Sequence, residues 1–398
     1  MARILIAWEL GNGYGHIARV LPLAVELQRR GHEPALVLRE VTRAETLVTR
    51  HGLRVLQAPV YPDRVKGLPA GASFAELLMH AGYLDPQGLA GLARAWRELF
   101  ALLRPQLLVC DMSPSALLAS TGLGVPRAVF GDGYTCPPLA TPMPPLGWWL
   151  PGPARYLPGA EHEVLRNANT ALAAFGLPAA ASVAAFLRAD EEFLATFEEL
   201  DHYPARAGAR YYGSMPAADE GVDPPWPSGE KRVFGYVRPD FPALDRLLRG
   251  ISASAHAAVV HVPGMSPAAI AQYPARNLAI CPQPVRISAA TAQCDAVICH
   301  ASHGTTVAGL LAGKPLLLAP TQAEQQMLAR RGEMLGAGLV VLPGERPPDF
   351  KQLLGRVLGE PGFATRASAF AAKYRGHDPR RAVELIADRC ERLIAPGG

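Results

Sequence analysis

The sequence of 398 residues lacks several features that mark particular classes of protein. Its 39 basic and 35 acidic residues leave a net charge of only +4, and no charge block or basic stripe interleaved with aromatic residues occurs. Nucleic acid is therefore not an expected partner. No apolar run approaches the roughly 20 residues of a membrane-spanning helix, so we expect no membrane span, while peripheral membrane contact stays open.

Paired cysteines are also lacking. Six cysteines are scattered without a Cys-x-x-Cys motif or metal-type spacing to histidine, so neither a disulfide framework nor a metal site is expected. Several lie inside apolar runs, where cysteine usually acts as a small buried side chain. The first nine residues become acidic too early for a secretory signal. These features predict a cytoplasmic protein.

The remaining composition describes a globular chain with well-buried cores. Hydrophobic residues make up 49% and charged residues 19%, and 398 residues suffice for two domains. Short apolar runs alternate with helical patterns in both halves, which indicates parallel sheets covered by helices. A turn-forming break near residues 214–228 separates the halves. We therefore predict an α/β fold with two Rossmann-like domains that face each other across a cleft, with ligands at the carboxyl ends of the strands.

The most informative stretch comprises residues 300–325. The apolar run at residues 295–299 predicts a buried strand, and a helix is predicted over residues 307–312 before a second apolar run at residues 316–319. The polar turn between the first strand and the helix presents a helix N-terminus, whose free N–H groups and dipole favour phosphate. Thr305 and Thr306 add hydroxyl donors, and His300 can donate from its imidazole. We predict a diphosphate cradle there, and it is not a Walker loop because Lys314 lies beyond the helix.

This stretch resembles a known donor-site signature. It reads His-x-x-His-Gly-Thr-Thr, then Gly-x-Pro-Leu-Leu, then Glu-Gln with the glutamine 25 residues after the first histidine. The pattern is similar to that of GT-B glycosyltransferases, most closely the bacterial and plant family-1 type that uses UDP- or TDP-sugars. In that family the first histidine and the threonine hydroxyls bind the diphosphate, and the acidic–glutamine pair binds sugar hydroxyls. The implied donor-binding residues are His300, Ser302, His303, Gly304, Thr305, Thr306, Glu324 and Gln325.

The N-terminal end carries a second part of the resemblance. A buried strand at residues 3–8 precedes a glycine-rich turn that ends in His16, and a helix is predicted over residues 17–30. The sixth turn position is His16 rather than glycine or alanine, so a dinucleotide cofactor is not expected. The opening instead resembles the same family, whose first turn ends in Gly-His and whose helix ends in Arg-Gly-His. The resemblance implies that His16 is the general base that deprotonates the acceptor.

A second candidate catalytic residue ends another predicted strand. Residues 105–111 form a clear apolar run that finishes at Asp111. An aspartate there resembles the family partner that orients the base histidine, so Asp111 is the candidate partner of His16. The alternative is that Asp111 caps the helix that starts near Pro114, since aspartate is a favoured N-cap residue.

Some positions depart from the family pattern. Ala308 stands where the family has a glutamate that binds ribose, and Arg19 stands where it commonly has proline. The first strand of the second half is followed by Arg238, which we expect to supply charge near the phosphate. Residues 281–285 read Cys-Pro-Gln-Pro-Val and lack the aromatic residue that stacks on the base, so backbone groups near Val285 are the expected pyrimidine contacts.

The resemblance implies an inverting, metal-independent glycosyltransferase that moves a sugar from a UDP- or TDP-sugar to a hydroxyl of a small or lipophilic acceptor. The nucleotide sugar is a co-substrate, and no cofactor is implied. Residues 1–214 would bind the acceptor and residues 229–376 the donor, with the helix at residues 379–393 packing back on the first domain. Two alternatives stay open, a non-catalytic relative that binds a nucleotide sugar or a partner enzyme, and a nucleotide-sugar epimerase. The proline-rich residues 137–158 either line the acceptor pocket, pack on the surface or touch a membrane.

Overall fold

The computed structural model of this protein describes residues 1–11, 13–62, 65–69, 71–151, 157, 159–204, 206–216, 219–342 and 348–395. The chain divides into two compact units: unit 1 is Met1–Pro216 with Asp378–Gly398, and unit 2 is Ala217–His377. Across the described ranges, no helix combines the length and the apolar character that crossing a membrane requires.

Unit 1 contains a six-stranded parallel sheet with helices on both faces. Its strands are β1 (Arg3–Trp8), β2 (Glu33–Leu38), β3 (Arg54–Gln57), β4 (Leu107–Asp111), β5 (Arg127–Gly131) and β6 (Glu191–Leu194), in the order β3-β2-β1-β4-β5-β6. Its helices are α1 (Tyr14–Arg29), α2 (Val41–Leu47), α3 (Phe74–Leu78), α4 (Pro86–Leu103), α5 (Pro114–Ser120), α6 (Ala160–Ala173) and α7 (Val183–Leu187). A π-helical turn at Met79–Tyr83 and 3-10 turns at Thr49–His51 and Glu198–Leu200 complete the unit.

Unit 2 repeats this architecture. Its strands are β7 (Arg232–Tyr236), β8 (Ala257–His261), β9 (Leu278–Cys281), β10 (Ala296–Cys299), β11 (Leu316–Leu318) and β12 (Gly338–Val340), in the order β12-β11-β10-β7-β8-β9. Its helices are α8 (Leu244–Ser252), α9 (Pro267–Ile270), α10 (Ile287–Gln293), α11 (His303–Leu311), α12 (Ala323–Met334), α13 (Phe350–Gly359) and α14 (Pro361–Lys373). Both sheets follow the Rossmann order, so the predicted α/β fold with two Rossmann-like domains is confirmed.

The helix α15 (Pro379–Ile394) belongs to unit 1, although unit 2 precedes it in the chain. Its apolar face joins the core of the β1–β2 side of the sheet, and Ile386 and Cys390 are fully buried there. Arg30, which follows α1, donates to Asp388 at 2.7 Å and to Glu391 at 2.8 Å. The Arg-Gly-His end of α1 thus serves as an anchor for α15.

The fourth strand of each unit ends in the same kind of turn. Asp111 is followed by Met112 at φ 47°, and His300 is followed by Ala301 at φ 59°. In each case the next residue is a serine that occupies the N-cap position of a helix. The fourth strand lies beside the first strand in both sheets, and this reversal of strand order is where open α/β sheets bind ligands.

Two further predictions concern cysteines and the proline-rich segment. All six cysteines are buried and free, as predicted for small apolar side chains.

Within the described part of residues 137–158, the chain between Pro137 and Leu150 forms neither helix nor named strand. Trp148 there donates from Nε1 to the carbonyl of His202 at 2.7 Å and meets Trp149 edge-on. The remainder of the segment, residues 152–156 and 158, lies outside the described residues.

Candidate active site

The structure brings His16 and Asp111 together. His16 Nδ1 lies 2.9 Å from Asp111 Oδ2, and Asp111 is fully buried. A carboxylate only accepts, so in the neutral imidazole Nδ1 carries the proton and Nε2 has the lone pair. Asp111 does not cap α5: the N-cap residue is Ser113, which makes no side-chain cap bond.

The imidazole of His16 is held by neighbours in the first turn. Its ring stacks on Trp8, with centroids 5.0 Å apart and planes 15° apart. Gly11 has φ 88°, and a methyl group placed on it would lie 2.3 Å from His16 Nε2. A side chain at position 11 would therefore collide with Nε2, and glycine avoids this collision.

Glu9 is a buried acidic residue beside this pair that the sequence analysis missed. It is 1% exposed and accepts from Ser115 N at 3.0 Å and from Ser115 Oγ. Burial raises the pKa of Glu9 from its ordinary value of 4.5 to about 7, although the bonds from Ser115 act in the opposite direction. The available signal was an acidic residue placed directly after the first buried strand.

Arg19, where the family commonly has proline, ties α1 to the turn after β5. Its guanidinium lies 3.2 Å from Asp132 Oδ2 and donates to Thr135 Oγ1 at 3.3 Å. Because Arg19 is one turn beyond His16 on α1, these contacts fix the helix that carries the imidazole.

A cavity of about 330 Å³ opens in unit 1 next to Asp111. Its lining includes Cys110 and Met112, which flank Asp111, and the apolar residues Phe74, Leu117, Val129 and Leu139. At its polar end Glu192 bonds to Arg206 at 2.8 Å, and burial raises the pKa of the Glu192 carboxyl. Leu139 belongs to the proline-rich segment, whereas Trp148 and Trp149 do not line the cavity.

In unit 2 the predicted diphosphate cradle is the start of α11. The helix begins at His303, four residues earlier than predicted, and its first backbone bond runs from Thr306 N to Ser302 O at 3.0 Å. Ser302 makes no side-chain cap bond. The N–H groups of Gly304 and Thr305 have no hydrogen-bond partner in the described chain. Gly304 is exposed, and a methyl group there would meet nothing within 4 Å, so an anion has room to approach these donors.

His300 differs from the expectation of a phosphate donor. Its Nδ1 donates to Ala319 O at 2.7 Å, so Nε2 is the unprotonated nitrogen and accepts from Arg238 N at 3.0 Å. Burial lowers the pKa of His300, which favours this neutral form. In this state His300 joins the loops after β7 and β10 and has no ring N–H to give to a phosphate.

The two threonines separate in role. Thr306 is fully buried, and its hydroxyl lies 3.7 Å from Cys299 Sγ in the interior, so its expected hydroxyl contact with phosphate is not available here. Thr305 is 3% exposed and stands one position closer to the helix start, where its N–H has no hydrogen-bond partner in the described chain. Unpaired backbone N–H groups, rather than the Thr306 hydroxyl, are therefore the donors that this helix start offers.

Arg238, expected to add charge near the phosphate, is paired with an acid. Its guanidinium bonds to both oxygens of Asp240, at 2.9 and 2.6 Å. The hydrogen bond from Arg238 holds the pKa of the Asp240 carboxyl below its usual range. Both side chains are more than half exposed, and such surface pairs are weak, so an anion can compete for the guanidinium.

Val285 is held by the segment that joins the units. Val222 donates to Pro284 O and accepts from Arg286 N, both at 2.9 Å, so the N–H and C=O of Val285 point away from Val222. No hydrogen bond within the described ranges uses these two groups. Val285 is only 3% exposed, so these two groups are unpaired polar groups in a buried position.

Glu324 and Gln325 lie in the first turn of α12. Gln325 is 5% exposed, and its Oε1 accepts from Thr321 N at 2.9 Å and from Thr321 Oγ1 at 3.0 Å. The amide NH₂ of Gln325 has no bond in the part of the chain that the structure describes. Gln322 Nε2 donates to Glu324 Oε2 at 3.2 Å.

The candidate donor residues form a row along the carboxyl edge of the second sheet. Gln325 follows β11, His300 follows β10, Arg238 follows β7 and Val285 follows β9. From β10 to β9 the row crosses three strand spacings, about 14 Å. That span suits an extended nucleotide with its phosphates and base at opposite ends.

Comparison with solved structures gives matches over nearly the whole chain. The calicheamicin glycosyltransferase CalG4 is 19% identical, with 99% of each chain covered and a TM-score of 0.72. VinC, a glycosyltransferase in complex with DTDP, is 17% identical over 98% of this chain and 99% of its own, with a TM-score of 0.68. The spinosyn rhamnosyltransferase SpnG, complexed with thymidine diphosphate, is 18% identical over 97% of this chain and 100% of its own, with a TM-score of 0.69. No family model and no curated protein matches the sequence. The chain therefore has the GT-B fold of these glycosyltransferases.

Proposed function

We propose that this protein is a glycosyltransferase that moves a sugar from a TDP- or UDP-sugar to a hydroxyl of an acceptor, with inversion and without a metal ion. The observation that carries the proposal is the 2.9 Å contact between His16 Nδ1 and Asp111 Oδ2. It leaves His16 Nε2 as a proton acceptor on the side that Gly11 keeps open.

In the proposed reaction the acceptor hydroxyl gives its proton to His16 Nε2 while its oxygen attacks the anomeric carbon of the donor. The bond from that carbon to the phosphate oxygen breaks, and its electron pair leaves with the nucleoside diphosphate. Attack opposite the leaving group inverts the anomeric centre. Asp111 stabilises the imidazolium that forms, and the N-terminus of α11 stabilises the charge on the diphosphate.

The row along the second sheet supports an orientation for the donor. The base would contact the backbone of Val285, the diphosphate would lie against Gly304 and Thr305, and the sugar would reach Glu324 and Gln325. The thymidine diphosphate in VinC and SpnG supports TDP as a donor nucleotide for this protein too.

The cavity beside Asp111 supports a lipophilic acceptor. Its volume of about 330 Å³ lies at the lower end of the range for small-molecule pockets. Apolar side chains such as Phe74 and Leu117 dominate its lining, with Glu192 and Arg206 as polar contacts. An apolar ring system carrying a hydroxyl fits this description.

The test is a transfer assay in EDTA, with TDP- and UDP-glucose as donors and a panel of phenolic and polycyclic alcohol probes as acceptors. We expect a β-linked glycoside from the α-linked donor, identified by NMR. His16→Ala should lower turnover by about 10²–10⁴-fold, since that is what a general base contributes, with nucleotide affinity unchanged by calorimetry. His51→Ala, a histidine outside the site, serves as the control. A donor that binds but is never consumed would support a non-catalytic relative, and interconversion of the free donor would support an epimerase.

A further inference from the structure

Glu9 and Asp111 lie at the ends of neighbouring strands. Glu9 directly follows β1, and Asp111 is the last residue of β4, where it pairs in register with Trp8. The loop from Asp111 to Ser115 runs from the end of β4 into the first turn of α5. The position of the Asp111 carboxylate therefore depends on how this loop is held.

Two contacts from the β1 side hold the loop. Leu10 N donates to Met112 O at 3.0 Å, in the turn where Met112 has a positive φ of 47°. The buried carboxylate of Glu9 accepts from both the N–H and the hydroxyl of Ser115. Within the loop, Ser113 Oγ donates to Asp111 O at 3.2 Å. The loop is thus held at Met112 by Leu10 and at Ser115 by Glu9.

Asp111 has little support of its own. Its Oδ2 meets His16, and its buried Oδ1 has no hydrogen-bond partner among the described residues. Among the described residues, the contact with His16 is thus the one side-chain hydrogen bond that orients this buried carboxylate. A shift of the loop would change the distance from Oδ2 to Nδ1, because no second hydrogen bond holds the carboxylate in place.

We propose that Glu9 is a positioning residue for catalysis, which acts by holding the loop that carries Asp111 against the His16 imidazole. The expected effect on kcat rests on the proposed function, whereas the expected effect on the contact between His16 and Asp111 does not. Trp8 stacks on His16 and Glu9 fastens the Asp111 loop, so two consecutive residues at the end of β1 align both members of the pair. Glu9 itself is 1% exposed, so its role would run through the loop that it holds.

The structural consequence is tested by NMR on the protein labelled with ¹⁵N-histidine. The Nδ1–H of a histidine bonded to carboxylate gives a low-field proton resonance, and Asp111→Asn and His16→Gln identify the one from His16. We expect this resonance to be lost or shifted in Glu9→Ala and retained in Glu9→Gln, whose amide can still bond to Ser115. Glu76→Ala removes another buried glutamate that accepts two backbone bonds, and it should leave the resonance unchanged.

A second variant guards against a Glu9→Ala protein that fails to fold. Ser115→Ala removes the hydroxyl contact with Glu9 from the loop side and keeps the contact from the backbone N–H. Ser120→Ala is its control, because Ser120 is a buried serine at the other end of α5. Of these two serine variants, we expect Ser115→Ala to change the resonance and Ser120→Ala to leave it unchanged. An unchanged resonance in a folded Glu9→Ala or Ser115→Ala protein would overturn the inference.

The kinetic consequence is tested by a double-mutant cycle with Asp111→Asn, using a donor and acceptor found in the transfer assay. Glu9→Ala should lower kcat by about 10- to 100-fold, as expected for misplacement of a catalytic group. KM for the donor should not change. In the Asp111→Asn background the same substitution should have little further effect. Full additivity would refute a role through Asp111, whereas an Asp111→Asn protein with normal kcat would instead refute the catalytic pair.

Discussion

At the scale of single residues, the absence of a side chain at Gly11 is as important as the imidazole it faces. Gly11→Ala would place a methyl group 2.3 Å from His16 Nε2, the atom that accepts the acceptor's proton in the proposed reaction. We expect kcat to fall by at least about tenfold, in line with misplacement of a reacting group, while TDP affinity stays constant. Steady-state kinetics and calorimetry measure the two effects.

Gly13→Ala is the matched control for this substitution. Gly13 also has a positive φ, 94°, so alanine strains the backbone there as well, but its methyl group would meet no atom within 4 Å. We expect Gly13→Ala to lower the melting temperature with a smaller effect on kcat. Equal kcat values for the two variants would show that strain, rather than obstruction of Nε2, explains the loss.

The residues of the candidate site were predictable to different degrees. The resemblance to the glycosyltransferase family singled out His16 and Asp111, and the structure brings them into contact. Spacing carries no information on which ring nitrogen of His300 is protonated, because that depends on Ala319 and Arg238, distant in sequence. Glu9 was missed because a single acidic residue after a strand carries no motif that would distinguish a functional role from an ordinary surface or turn position.

At the scale of elements, the start of α11 is where the donor prediction is most open to test. Gly304→Glu would add a carboxylate at the exposed second position of the helix, in the proposed diphosphate seat. We expect TDP affinity to fall by about tenfold or more, because like charges would be brought together. Glutamate is a better helix former than glycine, so the fold should be preserved.

The same substitution at Ala308 should have the opposite result. Ala308 lies on α11 one turn further on and is half-buried, at the position where the family has a ribose-binding glutamate. A charge-assisted hydrogen bond contributes about 1.5–3 kcal/mol, so we expect Ala308→Glu to tighten TDP binding on the order of tenfold. Calorimetry on both variants tests the placement of phosphate and ribose along one helix. Weaker binding in both would contradict it.

The junction of α1 with α15 gives a second prediction at this scale. Arg30 bonds to Glu26, Asp388 and Glu391 and its side chain is only 16% exposed, whereas Arg29 bonds to Glu26 alone and is 69% exposed. We expect Arg30→Ala to lower the free energy of unfolding by about 2 kcal/mol, the scale of charged hydrogen bonds. Arg29→Ala should have little effect. Urea unfolding compares the two, and equal losses would mean that the contacts with α15 do not stabilise unit 1.

Element types were easier to predict than element boundaries. Strands such as β1, β4 and β10 are buried on both faces, so they read as continuous apolar runs. The start of α11 was placed four residues late because its first turn consists of small and polar residues without helical periodicity. Those residues lie at the N-terminus of the helix, where Gly304 is exposed and Thr305 and Thr306 are buried.

At the scale of the whole molecule, the buried Glu9 links stability to pH. Its pKa is about 7 in the folded protein and near the ordinary 4.5 in the unfolded chain, so between these values the folded state binds a proton that the unfolded state does not. Stability should therefore fall as pH rises from 4.5 to 7, by about 3 kcal/mol if this group acts alone. Glu9→Gln should remove this slope, which thermal unfolding at pH 5 and pH 7.5 measures.

Glu26→Gln is the control for this pH dependence. Hydrogen bonds from Arg29 and Arg30, against the effect of burial, lower the pKa of Glu26 to about 2. Its contribution is complete above 4.5 and is lost only as pH falls toward 2. We expect this variant to lose the same stability at pH 5 and pH 7.5. A wild-type slope that survives in Glu9→Gln would point to another buried acid, such as Glu192.

The return of α15 to unit 1 has a consequence for synthesis on the ribosome. Residues 217–377 emerge as one continuous stretch, so unit 2 can fold as soon as it has left the exit tunnel. Unit 1 begins to emerge first, yet its core is missing Ile386 and Cys390 until the last helix has been translated. Domains usually fold in the order in which they are made. Here the unit that is translated first is completed last, and the part of its core that α15 covers stays exposed on the nascent chain until then.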